Sequence, residues 1–519
     1  MSAYWKRALL GGVFAAALAL GAPAWAQDSV LRVGVGSDIS GLDPHRASAT
    51  TDKGPIGWMF NGLLRFPPGS ADPDDLEPDL AESWTSSADG TEWVFKLREG
   101  VRFHGDWGEL TAEDVVYSLN RARDPERSTF AAAYSAFNTI EAVDDMTVRI
   151  VLDHPVPGFL GLLANYHGGN IVSRAAAEAA GADFARHPVG TGPFQFVEYV
   201  TQQHVIFEKH ADYFRGTPRI DRIEYRFIPS EASRELAFTS GELDLSWGRR
   251  EQRWIDRWTS QDGANVDVFL PGEFRTLHLN TTMEPLTDHR VREAVARAIN
   301  VDEIVAFVGA DVSPRGCSII PPGYLGEDCS SWDYDYDPDA ARALLAEAGY
   351  PNGVTIKSVV SSSNAQLPIM EVIQAQLAAS GITLEMQVVD HPTYQDLSRR
   401  DLSGLIFYGA ARFPIASTYL NEFYHSSAIV GTPTAITNFS HCAVADEQIE
   451  RAQVETDPAR QLELWAEAQR LIHAEICSVP LFDLRQVWLR SDRLDYGYTL
   501  EGALNLVPPI TELTELKSE

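Results

Sequence analysis

Basic side chains are scarce in this chain. Its 519 residues hold 42 Lys and Arg against 73 Asp and Glu, a formal charge of −31. Phosphate backbones are repelled by such a surface, which excludes a general nucleic-acid binder but not a local basic cleft. The acidity otherwise reads as a solvated surface suited to salty surroundings. Cysteine is rare: Cys317, Cys329, Cys442 and Cys477 are the four, and none stands in a CxxC spacing. That argues against a thiol redox site or a zinc ribbon. No run of 18 apolar residues follows the N-terminus, so no later membrane span is expected. HExxH, P-loop, GxSxG and dinucleotide fingerprints are missing, and Gly34-Val35-Gly36 lacks the third glycine. Asp333, Asp335, Asp337 and Asp339 mimic part of a calcium loop. Pro338 and Leu344 stand where that loop needs Gly and a final Glu, so the run reads as a turn and helix cap. No metal site, cofactor or catalytic constellation is expected.

What is present is globular: 45% hydrophobic, 22% charged and 10% aromatic residues. At roughly 150 residues per unit, the length suggests about three domains or lobes. The first 26 residues read as an export signal. Lys6 and Arg7 precede the apolar run Ala8 to Leu20, and Ala24-Trp25-Ala26 is a small-x-small cleavage site. The mature chain then begins at Gln27, soluble and exported, with no cysteine there to carry a lipid. In an oxidising compartment four cysteines allow three pairings. The expected pairs are Cys317–Cys329, closing a Pro/Gly-rich loop, and Cys442–Cys477. Unpaired buried thiols are the alternative.

Strand and helix signals alternate along the chain. Val30 to Val35, Trp93 to Leu97, Val148 to Leu152, Val205 to Glu208, Ile223 to Ile228 and Leu243 to Trp247 read as strands. So do Leu277 to Asn280, Val354 to Val360, Ile382 to Val389 and Val479 to Leu484. Helix starts are marked by Thr111 with Asp114, by Ser230, by Asp288, and by the Asp-Pro pairs 337–338 and 457–458. The pattern predicts an α/β protein, whose ligands sit at the carboxyl ends of strands or between lobes.

Five ordered blocks carry a family resemblance. The first runs from Leu80-Ala81-Glu82-Ser83-Trp84 through Trp93–Val101 and Phe103-His104 to Thr111-Ala112-Glu113-Asp114-Val115. Pro188–Phe194 holds Gly190-Thr191-Gly192, and Tyr213-Phe214-Arg215-Gly216-Thr217-Pro218 follows. Asp288–Ala294 and Asp337-Pro338 through Gly349-Tyr350 complete the set. The chain resembles the family 5 extracellular solute-binding proteins of ABC importers, which include dipeptide-, oligopeptide- and nickel-binding proteins. The resemblance implies a bilobal periplasmic-binding-protein fold of type II, cluster C-like, with an extra subdomain in lobe I. Lobe I is expected over 27–272 and again over 484–519, with the extra subdomain at about 65–185. Lobe II is expected over 273–483. Two chain crossings would then form a hinge.

Relatives that bind peptides carry an Asp in the loop after the strand that holds Phe407-Tyr408-Gly409-Ala410. Here no acid lies between Asp401 and Glu422, and the charged residue is Arg412. A ligand carboxylate paired with Arg412, beside Tyr408 and Phe413, is one reading. A surface or interlobe salt bridge is the other. Trp247, Arg249 and Arg250 suit stacking and charge recognition, or form an exposed basic turn. Asn165, Tyr166 and His167 face the cleft in relatives, as hydrogen-bonding or stacking groups rather than metal ligands. Asp43 and His45 lie on a loop that borders the cleft in relatives, though Asp43 before Pro44 also suits a simple turn. Tyr394, Tyr419 and Tyr424 are further aromatics for cleft, rim or core.

The expected function is solute capture in the periplasm for an inner-membrane ABC permease, by a monomer without catalytic activity. The solute is peptide-like or a small carboxylate-bearing molecule. An oligosaccharide is an alternative within the family. An exported hydrolase and a periplasmic chaperone are alternatives outside it.

Overall fold

The computed structural model describes residues 29–517 apart from 48, 333, 364 and 432–436. The expected export signal and Asp333 lie outside the described residues. Val30–Val35 is a strand, as its alternation predicts, with Leu31, Val33 and Val35 buried in a first core. It pairs in parallel with Arg222–Phe227 on one side and Leu245–Trp247 on the other. These strands belong to an eight-stranded mixed sheet. Its order is Leu405–Ala410, Ala264–Leu279, Ser478–Ser491, Leu245–Trp247, Val30–Val35, Arg222–Phe227, His204–Lys209 and Phe194–Val200.

The two longest strands of this sheet organise the molecule. Ala264–Leu279 and Ser478–Ser491 run antiparallel over most of their length. Both exceed the short segments expected at Leu277 to Asn280 and Val479 to Leu484. Leu270-Pro271-Gly272 interrupts the alternation, because proline has no N–H for the ladder and glycine no side chain to pack. The register shifts there, between Phe269 and Glu273. On one side of the shift, Phe269 and Trp488 join the first core. On the other, Leu277, Leu279, Phe482 and Leu484 join a second core. The chain thus passes between the two cores on both strands.

A third core lies beneath a four-stranded antiparallel sheet, in the order Ala81–Ser86, Glu92–Leu97, Thr147–Leu152, Phe137–Asp144. Helix Ala112–Ala122 covers it with Val115 and Leu119. The Asp114 carboxylate accepts from the Thr111 amide at 3.0 Å and its hydroxyl at 2.8 Å, which satisfies donors left open at the helix start. The second core is built on the parallel pair Val354–Ser361 and Ile382–Val389, joined by helix Leu367–Ala379. Asp337 and Asp457 cap the helices Pro338–Glu347 and Pro458–Glu475, as their Asp-Pro pairs predict. Both expected disulfides are present, with Cα separations of 5.1 Å for Cys317–Cys329 and 5.8 Å for Cys442–Cys477. The architecture is the bilobal α/β fold with an extra subdomain on the first lobe.

Candidate functional site

The strand Leu405–Ala410 lies against Phe274–Leu279, with Gly409 opposite Arg275. A Cβ at Gly409 would sit 2.4 Å from the Arg275 guanidinium, so only glycine leaves that group room. Arg275 is buried and donates to Glu273 at 2.5 Å. Arg250 donates to the other Glu273 oxygen at 2.8 Å and to Gln486 at 2.8 Å. Burial alone would raise the Glu273 pKa, but Arg250 and Arg275 outweigh it and hold the carboxyl down at about 2.

Asp483, across the ladder from Phe274, is 1% exposed, and its carboxylate lies against the backbone of Gly272. Burial pushes its pKa up to about 7 against the pull of Arg485 and Arg250.

Beyond the strand, Arg412 turns back to Glu422 on helix Ala416–Phe423, with Nε 2.5 Å from the carboxylate. Its guanidinium lies over the Phe423 ring at 5.7 Å, and its carbonyl accepts from the Tyr324 hydroxyl at 3.2 Å. Facing this group from the first lobe is Lys53, on helix Thr50–Met59. Its Nζ lies 5.4 Å from the centroid of the Tyr166 ring. It makes no ion pair or hydrogen bond among the described residues. Burial lowers its pKa to about 8, and nearby Arg412 adds to the shift. Tyr166 stacks on His167 at 3.6 Å, and His167 stacks on Phe130 at 4.1 Å. Burial, then Lys53 and Arg412, holds the His167 pKa well below its ordinary value, so the ring is neutral.

Lys53, Arg250, Arg275 and Arg412 therefore meet Glu273, Glu422 and Asp483 where the two lobes face each other. Positive charge is in excess, and more so when Asp483 is protonated.

Phe413 seals one edge of this seam. It packs on Gly158 and Gly161, and its ring is 6.0 Å from Phe66. A Cβ at Gly161 would come within 2.0 Å of the Phe413 ring.

Two cavities open from the same region. One lies in the first lobe and has Asn165 and Tyr166 in its wall. The other, much smaller, lies in the second lobe, lined by Tyr408, Phe274, His278, Tyr419 and Tyr424.

The structure thus brings together Arg412, Tyr408, Phe413, Arg250, Asn165, Tyr166 and His167. Four other candidates lie elsewhere. Asp43 is buried and paired with Arg121 at 2.8 Å, and Arg121 also meets His45 Nδ1 at 2.8 Å. His45 Nε2 donates to the Asn170 carbonyl at 2.9 Å, and burial lowers its pKa to about 4. This pair ties its loop to helix Ala112–Ala122. Arg249 is 44% exposed and paired with Glu231, on the outer surface. Trp247 stacks on Trp488 at 6.4 Å against the first core. Among the extra aromatics, Tyr394 is a core residue whose hydroxyl donates to the Phe407 carbonyl. Lys53, Glu273, Arg275, Glu422 and Asp483 are absent from the sequence-based candidates. A lysine followed by Gly54, Pro55 and Gly57 gives little helix signal.

A two-lobed α/β body with a charged seam at its paired crossing strands defines a solute-binding protein. The sequence model for bacterial extracellular solute-binding proteins, family 5 (middle region), matches residues 75–430, and the chain belongs to that family. Its class is the solute-binding component of ABC importers, which binds its solute and hands it on. Di/tripeptide-binding protein 2 of Pseudomonas aeruginosa is 28% identical over 92% of this chain and 93% of its own. The glutathione-binding protein GsiB of Escherichia coli K12 is 29% identical over 91% and 93%. The solved structure of MoaA from A. tumefaciens R10, in complex with mannopinic acid, superposes with a TM-score of 0.85. It is 46% identical and covers 95% of this chain and 100% of that one. No helix among the described residues is long and apolar enough to cross a membrane.

Proposed function

We propose that this protein captures a small amino-acid-derived acid, of the opine or short-peptide kind, between its two lobes in the periplasm. It then delivers the acid to an inner-membrane ABC permease. The observation that carries this reading is Lys53, a half-buried ammonium that makes no hydrogen bond or ion pair among the described residues, set over Tyr166 and beside Arg412. A cation removed from water is costly unless it is paired, and a ligand carboxylate supplies the missing partner. Arg412, already held by Glu422, is the second positive group on that side. The Asp483 carboxylate suits the ligand's amine. Segment 270–272 and the facing part of strand Ser478–Ser491 serve as the hinge, close to the expected lobe boundaries. The mature chain starts at Gln27 and acts as a monomer.

The relatives support an acid of this kind. The ligands in the names of those proteins and complexes are di- and tripeptides, glutathione and mannopinic acid. The test is a thermal-shift panel on ligand-stripped mature protein, with mannopinic acid, glutathione, dipeptides and neutral sugars. A ligand at 100 times its Kd adds about 2.7 kcal/mol of stability, which gives a visible shift. The expected result is a shift with at least one acid and none with neutral sugars. Lys53→Met should weaken that acid by roughly tenfold to a hundredfold, since hydrogen bonds to charged groups contribute about 1.5–3 kcal/mol. Unchanged affinity in Lys53→Met would sink the assignment.

A further inference from the structure

The two disulfides sit in different surroundings. Cys442 and Cys477 are 2% and 0% exposed and belong to a core of the second lobe. Cys317 is half-buried and Cys329 is exposed. The loop between them, residues 317–329, reaches the charged seam. We infer that the Cys317–Cys329 disulfide is a positioning element of the solute site. It holds the loop that presents Arg412 and Phe413, and its reduction by a dithiol loosens that loop and lowers affinity. This inference rests on the acid-binding reading above.

The connection runs through named contacts. A Glu327 carboxylate oxygen lies 3.1 Å from Cys317 Sγ and 3.4 Å from Cys329 Sγ. The other oxygen accepts from the Gly323 amide at 2.8 Å. The disulfide end of the loop is thereby tied to its apex. Next in the chain is Tyr324, which is buried and donates its hydroxyl to the Arg412 carbonyl at 3.2 Å. Its ring lies 5.7 Å from that of Tyr419, and Tyr166 and Asp483 are near enough to act on it. Leu325 then forms a parallel bridge with Ile415. Its amide donates to the Pro414 carbonyl at 3.1 Å, and its carbonyl accepts from the Ala416 amide at 2.8 Å. Backbone bonds of the loop thus hold both ends of the short segment that follows Phe413.

The lobe does not depend on this cross-link for its own packing. Gln469, buried on helix Pro458–Glu475, donates to the Gly326 carbonyl at 2.8 Å. Its side-chain oxygen accepts from the Ser318 hydroxyl at 2.6 Å and the Asp328 amide at 3.1 Å. These bonds keep the loop near the helix when the disulfide opens, but they do not reach the apex at Gly323 and Tyr324. Exposed disulfides are also the ones open to exchange, because a thiolate must approach along the S–S bond. One thiolate of a dithiol attacks the exposed Cys329 sulfur, and Cys317 leaves as a thiolate. The second thiolate then displaces Cys329 and closes the dithiol into a cyclic disulfide. Two electrons and two protons pass to the cysteines.

The test begins with dithiothreitol and then iodoacetamide on folded mature protein. Peptide mapping should find the label on Cys317 and Cys329 and none on Cys442 and Cys477; any other pattern would overturn the selectivity. In the variant Cys317→Ala/Cys329→Ala, hydrogen–deuterium exchange at residues 412–416 should be tenfold faster or more. Helix Pro458–Glu475 should keep its protection, which checks that the lobe is folded. Calorimetry with mannopinic acid should show about tenfold weaker binding, as expected if about a tenth of the molecules hold the segment in place. The same cysteine replacement in an Arg412→Gln background should cost less than about twofold, because the contact it positions is already gone. Unchanged affinity, or an equal loss in both backgrounds, would overturn the inference. If mannopinic acid does not bind wild-type protein, the acid-site reading loses its support from this probe, and the loop is judged by exchange alone. Faster exchange at 412–416 then supports the positioning role, and wild-type exchange overturns it.

Discussion

Asp483 shows how burial sets the behaviour of one residue in the seam. It is buried, and its pKa is raised to about 7 against an ordinary value near 3.8. An acid whose folded pKa is raised holds its proton in the native state after the unfolded chain has released it. Stability from this group is therefore greatest at low pH and falls as pH rises from about 4 to about 7. In ligand-free protein, Asp483→Asn should raise the melting temperature at pH 8 relative to wild type, and the gain should shrink towards pH 4. Melting curves across that range check it, and a gain independent of pH would contradict the burial argument. Arg250, Arg485 and Glu273 stay in place in the variant, so the difference reports Asp483 itself. Lys53 is the complementary case, a half-buried cation whose pKa is lowered to about 8, and under the proposed reading its substitution should act on binding more than on folding.

At the scale of elements, closure depends on glycine. Phe413 of the second lobe fits against Gly161 of the first, where a Cβ would come within 2.0 Å of the ring. Gly161→Leu should hold the lobes apart. Solution scattering should then show no compaction on adding ligand, and apparent affinity should fall by about tenfold or more, in proportion to the closed fraction. Full compaction in that variant would mean that Phe413 is not a closure contact. The disulfides differ in the loops they close. The separations are 12 residues for Cys317–Cys329 and 35 for Cys442–Cys477. Loop-closure entropy makes the second about 1 kcal/mol more stabilising than the first. Replacing Cys442 and Cys477 together by alanine should lower the melting temperature more than replacing Cys317 and Cys329.

Elements with local signals were legible in the sequence. Thr111 with Asp114 and the Asp-Pro pairs at 337 and 457 place helix starts at the observed positions, because capping is settled within one turn. The crossing strands were underestimated, because Leu270-Pro271-Gly272 breaks the alternation while the ladder resumes beyond it. The site was legible only in part. Arg412 and Tyr166 stood out by residue type. Lys53, Glu273 and Asp483 come from three distant segments, and only the fold brings them to one seam.

For the whole molecule, the seam runs against the trend of the chain. The formal charge is −31, yet cations outnumber carboxylates where the lobes meet. Under the proposed reading, a negative exterior with a positive cleft would admit an acid by local attraction rather than by net charge, and buried pairs are screened little by salt. Binding should therefore persist at 0.5 M salt with only a modest loss, which titration at two ionic strengths checks. A loss of a hundredfold or more would mean that the acid is held at an exposed surface.

The central claim is that a solute carboxylate completes the seam at Lys53. It is tested most directly by calorimetric titration of ligand-stripped protein with mannopinic acid and with its carboxamide derivative. The expected result is saturable one-to-one binding of the acid and loss of most of that affinity in the amide. Equal affinity for the two, or binding of the amide alone, would contradict the account.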